Sequence, residues 1–181
     1  DCIEQLGIDS FYIVGHSMGG TVATDVALQC YKNCMGLILL SAVGLRPHKG
    51  FRNSYPKIVY SLTKKPFDRI FYPFIKKAFV QMGFPKGIDQ TTIKVVLEYA
   101  SNFSFQKHSQ NLISVANSNV PIMVIYTKND PLIEVSIFEE ICSVTSPTLI
   151  CVYEDGGHNP QRKYNEDIGH KIIQFIDQTD L

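Results

Sequence analysis

A hydroxyl, an imidazole and a carboxylate stand far apart in this 181-residue chain, each beside an apolar run. Ser17 lies in Gly15-His16-Ser17-Met18-Gly19-Gly20, directly after Phe11-Tyr12-Ile13-Val14. The pattern G-x-S-x-G at the end of a strand marks a sharp strand-to-helix turn, which strains the central backbone and pushes its side chain outward. Bulk two residues before or after Ser17 is expected to collide in such a turn, so Gly15 and Gly19 read as the glycines it requires. A helix beginning near Ser17 directs free N–H groups and its positive dipole end to the place where an oxyanion would form.

A serine hydroxyl is a poor nucleophile at neutral pH. It needs a base to take its proton, and the base needs an orienting acid. Asp130 follows the apolar run 122–126, in Tyr126-Thr127-Lys128-Asn129-Asp130-Pro131-Leu132. His158 follows the run 148–153, in Glu154-Asp155-Gly156-Gly157-His158-Asn159-Pro160. If these runs are parallel strands, both loops and the elbow share the carboxyl edge of one sheet. Each residue alone has a plainer reading. Asp130 precedes a proline and could serve only a turn, and His158 could be an ordinary loop histidine. Their joint placement selects Ser17, Asp130 and His158 as candidate catalytic residues. Asp155 is the alternative acid, less well placed because it is three residues from His158. His16 is expected to pack behind the elbow, His48 and His108 to be exposed, and His170 to lie on the last helix. No phosphate loop, dinucleotide fingerprint or metal-ligand cluster is present, so neither a metal nor a cofactor is expected.

Four near-continuous apolar runs (11–14, 37–40, 122–126 and 148–153) read as buried parallel strands. Helical patterns over 21–31, 135–144 and 166–177 alternate with them. The fold class is therefore α/β, with a parallel sheet of about four strands. The stretch between the second and third strands is longer than one crossover needs. It reads as an insertion over 45–119, with helices over 66–82, 91–103 and 106–116, the last a candidate crossover of the sheet itself. Residues 1–44 and 120–181 then form the core, the first carrying the elbow and the second the acid and histidine loops.

Charge separates the insertion from the rest. Twelve basic residues face three acids between 45 and 119, a net +9, against −9 elsewhere. The insertion is also aromatic, from Phe51 and Tyr55 to Phe103 and Phe105. A basic, aromatic, helical segment suits an acyl chain, an anionic head group or a membrane surface, and the alternative is a small subdomain with a solvated basic face. The whole chain has zero net charge, which gives no pull toward nucleic acid. No apolar stretch approaches the ~20 residues that span a bilayer. Five cysteines, odd in number and without C-x-x-C, suit a reducing, cytoplasmic compartment, with peripheral membrane attachment as an option. Cys30 and Cys34 read as packing residues.

The elbow, the Asn129-Asp130-Pro131-Leu132 loop, the Gly157-His158-Asn159-Pro160 loop and the order Ser, Asp, His together resemble the α/β-hydrolase family. The resemblance covers nearly the whole chain but only the second half of that fold. It implies Ser17 as nucleophile, His158 as general base and then acid, Asp130 as its orienter, and the insertion as a cap over the active site. It implies a serine hydrolase acting on a small-molecule or lipid ester or thioester of an apolar acyl group. A non-catalytic binding module, a carbon–carbon bond hydrolase and an aminopeptidase of the same fold are the alternatives. In that family one oxyanion donor is the N–H of the residue after the nucleophile, here Met18, and the second comes from an earlier strand and loop that residues 1–181 lack. The chain reads as a fragment without the N-terminal half, weak or inactive on its own unless that half is supplied as another chain.

Overall fold

The computed structural model describes residues 2–49, 55–82 and 84–180, the side chains of Cys2 and Tyr55 excepted. Phe51 and Arg52, counted in the basic insertion, lie outside the described residues. The chain divides into two compact units, residues 1–50 with 105–181 and residues 51–104.

The first unit is built on one parallel sheet in the order β1 (Phe11–His16), β2 (Cys34–Leu40), β3 (Ile122–Thr127), β4 (Leu149–Tyr153). Successive side chains of a strand point to opposite faces, and here both faces find an apolar partner. Leu37, Leu39, Ile122, Val124 and Tyr126 enter one core, with α2 (Gly19–Gln29), α6 (Phe105–Asn117) and α7 (Val135–Thr145). Ile38, Leu40, Met123 and Ile125 enter the other, where α8 (Asn165–Thr179) contributes Ile168 and Phe175. This double burial is why β2 and β3 read as unbroken apolar runs.

The outer strands depart from that expectation. Val14 of β1 is 51% exposed, and Ile150 and Val152 of β4 are 46% and 43% exposed. Strand residues are buried only where a helix or a neighbouring strand covers them, and these three have no such cover among the described residues. A short helix, α1 (Cys2–Gln5), precedes β1.

Among the described residues, the second unit holds three helices: α3 (Tyr55–Leu62), α4 (Asp68–Gln81) and α5 (Gln90–Asn102). Its own core consists of Ile75, Phe79, Ile88, Ile93 and Leu97, with Val59, Leu62, Phe71 and Phe84 packed against it. The Asp89 carboxylate caps α5, accepting from the Thr92 amide at 2.9 Å and the Thr92 hydroxyl at 2.6 Å. α3 is absent from the sequence reading, which left 45–65 without an element. The unit is narrower than 45–119, because residues 45–50 and α6 group with the sheet.

Phe175 is wholly buried, and it lies so close to Gly36 that a Cβ there would come within 2.7 Å of its ring. Phe175→Ala should lower stability by about 3–5 kcal/mol. Urea unfolding followed by circular dichroism measures this, and an unchanged midpoint would show that the α8 side of the sheet is not cooperatively packed.

Candidate active site

The elbow is the point where β1 hands over to α2. Ser17 takes a left-handed backbone conformation, with φ of 54°. A non-glycine residue in this region is strained, and it persists only when its surroundings fix it. Three backbone bonds do so here. The Ser17 amide donates to Leu40 O at 3.0 Å, and the Ser17 carbonyl accepts from the Gly20 amide at 3.0 Å and the Val43 amide at 3.1 Å. The loop after β2 thus holds the turn from outside.

The glycines have different reasons from those expected. A Cβ on Gly15 would come within 2.5 Å of Gly20 Cα and 2.6 Å of Gly19 O, so Gly15 is required by the turn. A Cβ on Gly19 would meet nothing within 4 Å. The second crowded position is Gly20, whose Cβ would lie 2.5 Å from that of buried Ala42. The helix leaves the turn with position 19 facing open space and position 20 against the loop after β2, so the collision expected at Gly19 falls one residue later.

His158 stands between the other two candidates. Its Nε2 is 2.7 Å from Ser17 Oγ, and its Nδ1 is 2.8 Å from Asp130 Oδ2. A carboxylate can only accept, so Nδ1 carries the proton and Nε2 is left to accept from the serine hydroxyl. The Asp130 side chain is fully buried and His158 nearly so. The other carboxylate oxygen, Oδ1, accepts from the amides of Leu132 at 2.8 Å and Ile133 at 3.1 Å. Asp130 is thus both a turn residue and the partner of an imidazole, and the turn bonds aim the free oxygen. Asp155 is engaged elsewhere, by the Lys163 ammonium and the Tyr164 hydroxyl.

The loop carrying His158 is tied down on several sides. Gly157, at φ of 60°, donates its amide to Asn129 Oδ1 at 2.9 Å and accepts at its carbonyl from Thr127 Oγ1 at 2.8 Å. The His158 carbonyl accepts from His16 Nε2 at 2.8 Å, with the two rings 5.1 Å apart. Thr127, Asn129 and His16 escaped the sequence reading as positioning groups. Their only signal was adjacency to Asp130 and Ser17. His16 lies beside His158, not behind the elbow. Met18 follows Ser17 at the start of α2, and its N–H makes no hydrogen bond among the described residues. Among those residues no three His, Cys, Asp or Glu side chains gather as a metal site.

Residues 2–158 match the family described as an alpha/beta hydrolase of unknown function, DUF1057. The chain belongs to this family of α/β hydrolases. No curated protein matches the sequence. Among solved structures, the esterase RhEst1 from Rhodococcus sp. ECU1013 is similar at a TM-score of 0.64 and 14% identity, over 98% of this chain and 69% of that one. The esterase EaEST from Exiguobacterium antarcticum gives 0.63 and 18%, over 97% and 70%. The meta-cleavage product hydrolase CumD from Pseudomonas fluorescens IP01 gives 0.58 and 15%, over 98% and 68%. The fold is that of an α/β hydrolase in part, a four-stranded parallel sheet with flanking helices.

Two histidines of this α/β hydrolase lie where exposure was expected and are buried instead, His48 at 5% and His108 at 4% exposure. Both belong to segments that pack with the sheet unit, and each donates to a backbone carbonyl. His48 Nδ1 reaches Leu132 O at 3.0 Å, and His108 Nε2 reaches Val43 O at 3.1 Å. His170 on α8 is exposed. Among the described residues no helix is long and apolar enough to cross a membrane.

Gly19→Ala should leave the unfolding midpoint within about 0.5 kcal/mol of wild type, since a helical alanine is favourable and space is free. Gly20→Ala should lower it by about 1–3 kcal/mol through overpacking against Ala42. The reverse ranking would refute the assignment of the crowded glycine.

Burial is the main cause that lowers the pKa of His16, His48 and His108 below the usual 6.5. Near pH 6.5 and below, the unfolded chain then binds more protons than the folded one. Stability should hold above about pH 6.5 and fall as pH drops further. Urea midpoints across pH test this, and His48→Asn/His108→Asn should flatten the decline. A wild-type profile without any decline between about pH 6.5 and 5 would contradict it.

Proposed function

We propose that this chain is a serine hydrolase, cleaving a carboxylic ester or thioester of an apolar acyl group through an acyl-enzyme. The observation that carries the reading is the single imidazole of His158, 2.7 Å from Ser17 Oγ on one side and 2.8 Å from a buried Asp130 carboxylate on the other. Proton transfer from a hydroxyl to an imidazole needs that separation, and the charge that develops on the ring needs a fixed counter-ion.

In the first half-reaction Ser17 Oγ attacks the acyl carbonyl while His158 Nε2 takes its proton. The negative charge passing to the carbonyl oxygen is met by the Met18 N–H at the start of α2. Collapse of the tetrahedral species expels the alcohol or thiol, which receives the proton from His158. In the second half water enters, His158 takes its proton, and the acid leaves as Ser17 regains its hydrogen. Asp130 keeps the ring in one tautomer throughout and stabilises the imidazolium. His16, Thr127 and Asn129 act at one remove, by holding the backbone on either side of His158.

Two of the structural neighbours are esterases, which fits this reading, and CumD is a meta-cleavage product hydrolase. Carbon–carbon bond hydrolysis with the same three side chains is therefore the second reading. Substrate choice separates them. An esterase turns over p-nitrophenyl acyl esters, whereas the second reading requires hydrolysis of a carbon–carbon bond.

A fluorophosphonate probe should label the full-length wild-type protein, and Ser17→Ala should abolish labelling. Asp130→Asn should keep the fold and lower turnover about 10⁴-fold, as loss of the orienting acid does in such relays. Equal labelling of wild type and Ser17→Ala would overturn the assignment of the nucleophile. A folded wild type that neither labels nor turns over esters would favour a binding module.

A further inference from the structure

α4 carries two apolar faces, and its own unit uses only one. Ile75 and Phe79 enter the core of the second unit, 8% and 4% exposed. Phe67 at the helix start, Ile70 and Phe74 form a second row at helical spacing. They are 51%, 64% and 70% exposed. A rotation of about 100° per residue separates Phe74 from Ile75, so the outer row cannot share the inner core. Single exposed apolar residues are ordinary, but three in a row along one helix, two of them more than half bare rings, are not explained by folding of this unit.

The charge around this row has one sign. Lys65 precedes the helix, Arg69 flanks the row, and Lys77 extends it by one turn beyond Phe74, all three exposed. The one acid of α4, Asp68, lies toward the helix start on the inner side, 4.0 Å from Lys94 Nζ, and does not neutralise them. Residues 51–104 hold nine basic residues against three acids, a net charge of +6. Bare aromatic and aliphatic side chains edged by lysine and arginine match a surface that is apolar below and anionic above. A nucleic acid would satisfy the charges and leave Ile70 and Phe74 in contact with water. A second copy would bring the same cations face to face.

We infer that the Phe67–Ile70–Phe74 row of α4, with its basic margin, is a docking face for the anionic surface of a lipid bilayer. The apolar row enters the acyl boundary and the cations meet the phosphate head groups. Attachment of this kind is reversible, interfacial and weakened by salt. It is independent of the chemistry assigned to Ser17, so it can be tested in the Ser17→Ala variant as well as in the active chain.

Vesicle co-sedimentation of the full chain is the test, using phosphatidylcholine alone and phosphatidylcholine mixed with phosphatidylglycerol. Binding should be confined to the mixed vesicles and weaken at least about tenfold between roughly 50 and 300 mM salt. Ile70→Ser/Phe74→Ser should reduce binding at least about tenfold with an unchanged unfolding midpoint, because both positions are exposed. Lys65→Glu/Arg69→Glu/Lys77→Glu should do the same by the other half of the mechanism. Equal binding to both vesicle types, or wild-type binding by Ile70→Ser/Phe74→Ser, would overturn the proposal. So would tight binding to a short DNA duplex that Ile70→Ser/Phe74→Ser retains, or a vesicle-free dimer that Ile70→Ser/Phe74→Ser abolishes.

Discussion

One imidazole joins three pieces of chain that are otherwise unrelated in sequence. His158 reaches Ser17 with one nitrogen and Asp130 with the other, and a backbone shift of about one ångström would break both bonds. The sheet supplies the coarse alignment. Parallel strands β1, β3 and β4 end at the same edge, so the elbow, the acid loop and the histidine loop begin within reach of each other. Loop chemistry supplies the fine alignment. Gly157 is gripped through both its amide and its carbonyl by side chains of the acid loop, and the His158 carbonyl is held by His16 from the elbow. Each of the two loops that His158 must face thus also fixes the backbone from which His158 projects.

The same region concentrates cost. Ser17 and Ser41 are non-glycine residues at positive φ, one at the end of β1 and the other just past β2. Two imidazoles, His48 and His108, are buried around the loops and a third, His16, is partly buried, and desolvation lowers the pKa of each. Their hydrogen bonds run to the carbonyls of His158, Leu132 and Val43, which places one beneath each loop that shapes the site. Neutral imidazoles suit this work. They satisfy buried carbonyls without adding positive charge beside a carboxylate that has to serve His158 alone.

Much of the scaffold was legible in the residues themselves. β2 and β3 are covered on both faces, so burial leaves no room for polar residues and the apolar runs stand out. The elbow announces itself because few residue types tolerate its backbone. What stayed hidden depends on contacts between distant segments. Nothing in the string Gly19-Gly20 says which glycine meets Ala42. Nothing beside His48 or His108 says that a carbonyl of another loop waits for it. The exposure of Val14, Ile150 and Val152 follows from the positions of β1 and β4 at the outside of the sheet, not from their composition. α3 spans only eight residues, too short a window for its apolar spacing to stand out from the surrounding loop.

The two units solve different problems with similar residues. The sheet unit has an acidic surplus and leaves apolar residues exposed on its outer strands, whereas residues 51–104 carry a basic surplus and leave one row of α4 bare. Chemistry, by this account, belongs to the first alone, and rests on the proton held between His158 Nδ1 and Asp130. That proton can be observed directly. A one-dimensional proton NMR spectrum of the folded chain should contain a single far-downfield imidazole signal, present in Ser17→Ala and absent from Asp130→Ala and His158→Gln. A folded wild type without the signal, or a signal that survives Asp130→Ala, would contradict the account.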